Sequence, residues 1–321
     1  MAFTDSTFRG DLNTYAVDTM LGLDNLIGLK VFPQYGVPTK TGQYPRFKIQ
    51  EGKLLDSVDT IRNPNGSYNE IVREYTQQTY SCEDRGLEER VDDTYRADVS
   101  RFFNAEVAAS QMLTKNVALR WEEVVADELY DNSTFNTTSA TVNYTNTLIE
   151  TIDFMQDLNA AVERISDKGI QANTIVMSNT LKNQILRSTL FQNYAKPYDA
   201  SNAGIISERR LIDILSSDFN LEVMIGKSVK QTSNVRGTSS TSKIWSNDYI
   251  WVGDVGSGDP YSGRGVGRTF AWEGDGGTTL ITESYRDEAR RSDMIRVRHN
   301  VDAHVINPNA GELITTNYSA S

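Results

Sequence analysis

The sequence has few of the side chains on which metal binding and nucleophilic catalysis depend. Its 321 residues include one cysteine and two histidines. Because Cys82 stands alone, an intramolecular disulfide and a multi-cysteine metal site are excluded, and the chain is typical of a reducing compartment. No run of about 18 apolar residues occurs, and the N-terminal residues lack the apolar stretch of a secretory signal. We therefore expect neither a transmembrane segment nor a secreted protein.

The two histidines lie in one segment, residues 295–306, in which apolar and polar residues alternate as they do in a β-strand. Side chains five positions apart face opposite sides of a strand, so His299 and His304 are not expected to share a metal ion. The sequence has no Gly-x-Ser-x-Gly motif and no phosphate-binding glycine motif, although glycines cluster in residues 253–267. The acidic neighbours of Cys82 are expected to raise its thiol pKa, which disfavours a nucleophilic thiolate. The sequence therefore predicts no catalytic, metal-binding or cofactor-binding residue.

Acidic residues outnumber basic ones. The chain has 43 acidic and 32 basic side chains, a formal net charge of -11 and an isoelectric point near 4.8. Polyanion binding draws its affinity from clustered Lys and Arg, so this balance argues against a protein whose main task is to hold nucleic acid. The densest acidic run, residues 83–93, is predicted to be a solvated junction that ends at a helix N-terminus. Among so many carboxylates, some pair always lies at catalytic distance once the chain is folded. The composition therefore does not exclude a hydrolase that uses two carboxylates.

The first part of the chain predicts extended elements without a core of their own. Residues 1–35 have scattered apolar positions with no clean period, which is typical of an arm that lies on another surface. Residues 44–50 and 71–80 are predicted to be two long, polar strands on either side of the turn residues 62–66. A hairpin with so little apolar content cannot form its own core, so we expect it to project from the body or to lie over a neighbour.

The clearest predicted element is one long helix over residues 93–130. This segment contains neither proline nor glycine, and its apolar residues recur at helical spacing. Asp92 or Asp93 can cap its start. A continuous helix of this length would extend about 57 Å, longer than most helices of globular proteins, so we expect it to bend or break.

The rest of the sequence alternates helices and strands before it becomes strand-rich. A capping box at 147–150 predicts a helix that ends at Gly169. Ser178 or Asn179 is predicted to cap a further helix. The segment 227–242, rich in Ser and Thr, is predicted to be a mobile surface loop. Another helix is predicted at 207–216, and strands are predicted at 174–178, 221–226, 248–252, 268–272, 278–285 and 294–306.

Two stretches carry a resemblance to a known family. Residues 169–186, Gly-Ile-Gln-Ala-Asn-Thr-Ile-Val-Met-Ser-Asn-Thr-Leu-Lys-Asn-Gln-Ile-Leu, follow a helix and combine a buried strand with a helix capped from that strand. Residues 285–308 combine a strand, a short basic connection and a second strand. Placed after an arm, a polar hairpin and a very long helix, these stretches resemble the major capsid protein of tailed bacteriophages, which has the Hong Kong 97-type fold.

The resemblance implies an α+β fold with an N-terminal arm, an extended β-hairpin loop, a long spine helix, a peripheral domain and an axial domain. The implied division is an arm at 1–35, an extended loop at 36–86, a peripheral domain at 87–146 and 261–308 with the spine helix at 93–130, an axial domain at 147–260, and a polar C-terminal tail at 309–321. Some members of the family begin with a scaffolding region that is cleaved away. Since this chain begins at once with the arm, we expect a separate scaffolding protein or none.

The same resemblance implies a structural protein and not an enzyme. The chain would assemble with copies of itself, as hexamers and pentamers, into the icosahedral head shell around the double-stranded DNA genome of a tailed phage. Further expected partners are scaffolding, portal and decoration proteins, with packaged DNA on the inner face. No cofactor and no membrane are expected. The expected location is the virion, after assembly in the host bacterial cytoplasm.

Two other functions stay open. An encapsulin-type nanocompartment shell has the same fold but loads enzymes instead of a genome. A cytoplasmic α+β hydrolase that uses carboxylates belongs to a different class, and the glycine-rich segment at 253–267 would then be a lid, since a fold alone does not decide function. The enzyme interpretation does not explain why the chain has an arm and a long polar hairpin.

Contacts between subunits are expected from the extended loop and from the basic connection near the C-terminus. The candidate contact residues are Arg46, Lys48, Lys53, Arg62, Asn65, Arg286, Arg290 and Arg291. The three C-terminal arginines are either solvated charges of a strand connection or partners of an acidic surface on the next subunit. Some members of the family also join a hairpin lysine to an asparagine covalently. The candidate pairs here join Lys40, Lys48 or Lys53 to Asn300, Asn307 or Asn309 of another subunit. Lysines and asparagines are common, so we do not expect crosslinking.

Overall fold

The structure is a computed structural model that describes most of the chain. It covers residues 7–23, 25–46, 60–62, 66–70, 76–100, 103–145, 148–196, 206–235, 238–256, 265–275 and 280–318. Within these ranges the protein has eight α-helices and fifteen β-strands, which confirms the predicted α+β class. No helix in these ranges combines the length and the apolar character that a membrane span requires.

Helices and strands are numbered in chain order. The helices are α1 (Gly10–Leu21), α2 (Gly28–Val31), α3 (Asp93–Val99), α4 (Ala105–Leu129), α5 (Phe154–Asp167), α6 (Asn179–Arg187), α7 (Thr189–Ala195) and α8 (Glu208–Phe219). The strands are β1 (Thr7–Phe8), β2 (Gln34–Val37), β3 (Thr41–Arg46), β4 (Thr76–Ser81), β5 (Glu83–Asp92), β6 (Asn136–Ser139), β7 (Thr174–Ser178), β8 (Glu222–Gly226), β9 (Val229–Val235), β10 (Thr238–Lys243), β11 (Tyr249–Gly253), β12 (Gly267–Trp272), β13 (Ile281–Asp287), β14 (Ser292–Val305) and β15 (Gly311–Thr315).

The long strand β14 is the centre of a six-stranded sheet. It pairs antiparallel with β5 along one edge and with β13 and then β12 along the other. The short strands β1 and β2 extend β13 and β12 outward. Because side chains alternate along a strand, Ile295 and Val297 are buried beneath α4 while Arg296 lies on the open face. One continuous strand therefore carries both the core and a charged outer surface.

The two histidines lie on opposite faces of β14, as the alternation predicted. His299 packs edge-on against Trp121 of α4, with 5.5 Å between the ring centroids. Burial, followed by the nearby positive charge of Arg85, lowers the pKa of His299 to about 4. His304 lies on the other face beside Tyr44, at 5.8 Å between ring centroids. The two imidazoles therefore have separate environments.

The single long helix predicted at 93–130 is two helices. Asn104 starts α4 because its side-chain oxygen accepts hydrogen bonds from the amides of Glu106 (3.0 Å) and Val107 (3.4 Å). Asp92 caps α3 in the same way, as predicted. The expectation that the long helix bends or breaks is therefore confirmed, and the 25-residue α4 packs across the sheet.

The N-terminal residues belong to the chain's own body. β1 pairs with β13, and α1 packs against α4. Leu12 and Ala16, one helical turn apart, are buried in that contact, and Val31 and Phe32 are buried farther along. The expectation that 1–35 lies on another surface is therefore wrong for its described part. A helix that buries so few of its side chains leaves little periodicity in the sequence.

A second sheet has five strands in the order β6-β15-β11-β7-β8. Its strand β7 coincides with the strand predicted at 174–178 and is buried at every position. Ile175 packs with the helices on one face, whereas Val176 packs with the α4 side of the molecule. Ser178 ends the strand and caps α6 by accepting a hydrogen bond from the Leu181 amide (3.3 Å), as predicted.

The residues near the C-terminus form the strand β15 where a polar tail was predicted. β15 pairs antiparallel with β11 and parallel with β6. Leu313 and Ile314 are fully buried within the sheet. The prediction of a tail over 309–321 is therefore wrong for Gly311–Thr315. The polar residues on both sides of this short apolar segment concealed the strand, since a run of so few apolar residues is ambiguous in sequence.

Three further segments differ from their predictions. The acidic run 83–93 is exposed and ends at the start of α3, as predicted, but most of it is strand β5 at the edge of the sheet. The segment 227–242 is mostly a hairpin, β9 and β10, where a loop was predicted. α5 begins after Asp153, whose carboxylate accepts a hydrogen bond from the Gln156 amide (3.1 Å), so the predicted capping box at 147–150 does not start this helix.

The predicted extended hairpin is present in its described part. β3 and β4 pair antiparallel from Thr41↔Ser81 to Arg46↔Thr76. Tyr44 and Tyr80 anchor the base of the hairpin by packing on the ring of Phe270, at 5.2 and 4.7 Å between centroids. The predicted turn at 62–66 lies partly outside the described residues.

Replacing Leu313 by alanine should lower the free energy of unfolding by about 2–5 kcal/mol, because the change loses apolar burial and leaves a cavity. Denaturant unfolding of the purified chain measures this difference. Met112 on α4 is 61% exposed, and as a control Met112→Ala should change the same quantity by less than about 0.5 kcal/mol. Equal stability of Leu313→Ala and the parent chain would contradict a core position for β15.

Candidate inter-subunit surfaces

Of the five candidate contact residues in the extended loop, four have side chains that the structure does not describe. Lys48, Lys53 and Asn65 lie outside the described residues. Arg46 is the last residue of β3, and its backbone pairs with Thr76 of β4. The contacts predicted for these four side chains therefore remain predictions.

Arg62 lies in a short described segment of the same loop. Its Nε atom donates a hydrogen bond to the carbonyl oxygen of Gly66 (2.7 Å). Its guanidinium also lies over the ring of Tyr68, 5.0 Å from the centroid, in cation–π geometry. Tyr68 is 73% exposed, so the stacked pair presents a flat surface to solvent. Such a surface is suited to a contact with another chain, since aromatic and arginine side chains are enriched at interfaces.

Arg286 is held by acidic residues of its own chain. It donates hydrogen bonds to both carboxylate oxygens of Asp93 (2.7 and 2.6 Å) and to Asp293 (3.2 Å). The hydrogen bonds from Arg286 are the main reason that the pKa of Asp93 is lowered. Arg96 continues the network from Asp293 (2.6 Å) to Glu106 (3.0 Å). This network joins the β13–β14 hairpin to α3 and α4.

Arg290 and Arg291 lie on the exposed turn between β13 and β14. The Arg290 side chain is 63% exposed, and its nearest acidic partner is Asp287 at 3.6 Å. Arg291 has a positive φ of 48°, which lets the turn close while the amide of Asp93 donates a hydrogen bond to its carbonyl oxygen (3.2 Å). The turn therefore presents two arginines to solvent, in contrast to Arg286.

The open face of the six-stranded sheet contains a polar cleft of about 560 Å³. Its lining residues are Lys40, Asp84, Gly86, Leu87, Glu88, Trp272, Glu283, Arg296, Arg298 and Asn300. Arg298 donates a hydrogen bond to Glu283 (2.7 Å), so charges of both signs meet on the floor of the cleft. The lysine and asparagine of one candidate pair for covalent joining, Lys40 and Asn300, both line it within one chain. Asn307 differs, because it is 1% exposed and accepts a hydrogen bond from the Asn309 amide (3.1 Å).

Glu122 is a buried carboxylate in the middle of α4 that sequence reasoning missed. It accepts hydrogen bonds from the amides of Ile27 (3.0 Å) and Gly28 (2.6 Å) and from the indole Nε1 of Trp245 (2.7 Å). Burial raises the pKa of Glu122, and these hydrogen bonds oppose the rise. A glutamate beside Trp121, inside the apolar stripe of a helix, is the sequence signal that could have identified it.

Other buried acids also serve the fold. Asp157 accepts hydrogen bonds from the Thr141 amide (2.9 Å) and the Tyr144 hydroxyl (3.0 Å). Glu312 is bound by Arg164 and accepts a hydrogen bond from the Thr138 hydroxyl (2.8 Å). Asp157 joins α5 to the segment that follows β6, and Glu312 joins β15 to α5 and β6, as buried charges require partners.

Metal and thiol chemistry find no support in the described part of the chain. No group of three or more His, Cys, Asp and Glu residues is placed there to hold a metal ion. Cys82 is buried, and burial followed by the charge of Asp302 raises its thiol pKa to about 11. The predicted direction is confirmed, although burial and not the neighbouring acidic sequence is the main cause.

No protein-family model and no curated protein matches the chain. Solved structures do match. A phage-related protein from Bordetella bronchiseptica RB50 has a TM-score of 0.71 at 22% identity and covers 98% of each chain. The capsid structure of cyanophage P-SCSP1u has a TM-score of 0.56 at 9% identity, over 91% of this chain and 87% of that one. The virus-like particle of Pyrococcus furiosus has a TM-score of 0.55 at 11% identity, over 94% of this chain and 97% of that one.

These similarities show that the chain has the fold of tailed-phage capsid proteins, the Hong Kong 97-type fold that the order of its elements predicted. The matches extend over nearly the whole chain. The likeness is therefore one of the overall fold and not of a single segment.

Replacing Glu122 by alanine should lower the free energy of unfolding by several kcal/mol, because each buried donor left without an acceptor costs about 1–3 kcal/mol. Glu122→Gln should cost less, since its amide oxygen still accepts part of these hydrogen bonds. Denaturant unfolding of the dissociated subunit measures both. Asp127→Ala, at an exposed position of the same helix, is the matched control. A loss no larger for Glu122→Ala than for Asp127→Ala would contradict the structural role of Glu122.

Proposed function

We propose that the chain is a major capsid protein that assembles, as hexamers and pentamers, into the icosahedral head shell around the double-stranded DNA of a tailed phage. The observation that carries this proposal is the end-to-end match with a phage capsid structure, over 91% of this chain and 87% of that one. A match of this extent supports a function that belongs to the fold as a whole and not to one part of it. A shell protein uses projections such as the extended hairpin to add interface without enlarging its own core.

The exposed charged and aromatic groups support the same function. Arg62 stacked on Tyr68 and the arginines of the β13–β14 turn are presented to solvent at opposite ends of the sequence. We propose Arg46, Lys48, Lys53, Arg62 and Asn65 of the loop, together with Arg290 and Arg291, as contacts with the next subunit. Arg286 acts within its own chain and positions the turn for them.

The proposed partners follow from this function. We expect scaffolding proteins to bind the shell from inside, portal proteins to bind it at one vertex, and decoration proteins to bind it from outside. The packaged DNA contacts the inner face without sequence specificity. A net charge of -11 suits a shell that must bind its DNA only weakly. The proposed location is the virion, after assembly in the cytoplasm of the host bacterium.

An encapsulin-type nanocompartment is the second candidate. The virus-like particle of Pyrococcus furiosus matches over 94% of this chain and 97% of that one, which favours this alternative specifically. Such a shell would enclose proteins instead of a genome. The carboxylate-using hydrolase has no comparable support, because the buried acids described above are bound by their own chain.

The purified chain should form closed icosahedral particles that are visible by negative-stain electron microscopy. Particles isolated from infected or induced cells should contain nuclease-protected double-stranded DNA. Protected protein cargo in place of DNA would favour the nanocompartment. A small monomer under every assembly condition would contradict both shell functions.

Reversing the charges at Arg290 and Arg291 to glutamate should impair particle assembly without unfolding the subunit, since both side chains are exposed. Sedimentation measures particle yield, and circular dichroism of the subunit checks the fold. Arg286→Ala is the contrasting variant, because it breaks intrachain ion pairs and should lower subunit stability. If the Arg290→Glu/Arg291→Glu variant forms particles in the same yield as the parent chain, these two residues are not part of the contact surface.

A further inference from the structure

The hairpin of β9 and β10, here called the ribbon, has features that the proposed shell function does not yet explain. Its two strands form a sheet by themselves and pair with no other strand in the described part of the chain. Polar cross-strand contacts hold it together, such as the hydrogen bond between the Thr232 and Ser240 hydroxyls (2.8 Å). An isolated two-stranded ribbon without an apolar face is marginally stable in water. The ribbon therefore needs a surface to lie against.

The body of the same chain supports the ribbon mainly at its base. Lys230 forms an ion pair with Glu123 of α4, and Ile244 and Trp245, directly after the ribbon, are buried. At the base itself, Val229 and Lys243 are directly opposite each other in the register and so share one face. Val229 is 53% exposed, and Lys243 is exposed as well. This face presents an apolar and a basic side chain together.

The charge of the ribbon is opposite to that of the chain as a whole. From 223 to 247 the sequence has four basic residues and no acidic one, whereas the net charge of the whole chain is -11. The basic residues are Lys227, Lys230, Arg236 and Lys243. An acidic surface on another copy of the chain is therefore electrostatically complementary to the ribbon.

Strand β5 offers a surface with the matching properties. It has ten residues and pairs only with β14 among the described strands, so one of its edges has main-chain groups without a partner strand. An open edge of this kind accepts an additional strand from another chain. Leu87 and Glu89, two positions apart, share one face of β5, and Leu87 is 45% exposed. β5 thus presents an apolar and an acidic side chain together at an open sheet edge.

We propose that the ribbon of one subunit docks on the open edge of β5 in a second copy, with Lys243 of β10 beside Glu89 and with Val229, one strand farther out, on the same face as Leu87. β10 adds to the six-stranded sheet of the neighbour as an outer strand. The contact joins two different surfaces, so it is heterologous and can repeat around a closed ring. This inference rests on the proposed shell function and adds to it a contact separate from the extended loop.

A second copy fits the ribbon better than packaged DNA does. Lys227 and Lys230 already bind Glu208 and Glu123 of their own chain, which leaves few positive charges for phosphates. The ribbon also has unpaired strand edges, and a strand edge is satisfied by another strand. Nucleic acid supplies no such partner.

Charge reversal tests the contact in the full chain. Lys243→Glu and Glu89→Lys should each lower the yield of assembled particles about tenfold at fixed subunit concentration, because a like-charge pair weakens every copy of the contact. The double variant restores the opposite charges and should recover most of the yield. Both residues are exposed, so the unfolding curves of the subunits should match that of the parent chain. Lys115→Glu, on the exposed face of α4, is the charge-matched control and should assemble as the parent does.

Zero-length coupling of amines to carboxylates in parental particles gives an independent readout. Mass spectrometry of the coupled subunit dimer should identify a Lys243–Glu89 link, and the link should be absent from dissociated subunits. Particles that form normally from Lys243→Glu, with no such link in the parent, overturn the contact while the shell function stands. Normal assembly of Lys243→Glu with reduced DNA content also overturns it and assigns the ribbon to DNA. Failure of the parent chain to form any particle contradicts the shell function itself.

Discussion

The carboxylate of Glu122 is the interaction on which the rest of the subunit depends. From the middle of α4 it accepts the amide hydrogens of Ile27 and Gly28 in the N-terminal segment and the indole hydrogen of Trp245, which follows the ribbon. A buried acid tolerates its loss of hydration only when such donors replace the water. One side chain therefore fixes the N-terminal segment, the spine helix and the base of the ribbon relative to one another.

The strand β14 extends this arrangement to the surface. Its buried face packs on α4, and its open face carries the arginines of the polar cleft. At its start, the network around Arg286 and Asp93 ties the β13–β14 turn to α3. The subunit thus has a rigid centre that positions exposed charged groups, which suits a protein whose function lies in contacts between copies.

The sequence predicted that the N-terminal segment and the extended hairpin lie outside the chain's own core. The structure differs from this expectation for the N-terminal segment. The described N-terminal residues bury Leu12, Ala16 and Phe32 in the chain's own core. The extended hairpin is anchored through Tyr44 and Tyr80 at its base. The ribbon, by contrast, has little apolar surface of its own. Of these three segments, the ribbon is the one for which the sequence predicted only a loop and for which we propose a neighbour.

The sequence by itself determined the elements whose signals are local. The apolar run at 174–178, the Ser178 cap and the alternation that separates His299 from His304 all follow from side-chain periodicity and capping chemistry. The tertiary structure alone decided the pairing of β15 inside a sheet and the burial of Glu122. Each of these depends on which segments meet in space. Two hydrogen-bond donors nearly a hundred residues away make a buried glutamate favourable, and no local pattern encodes that distance.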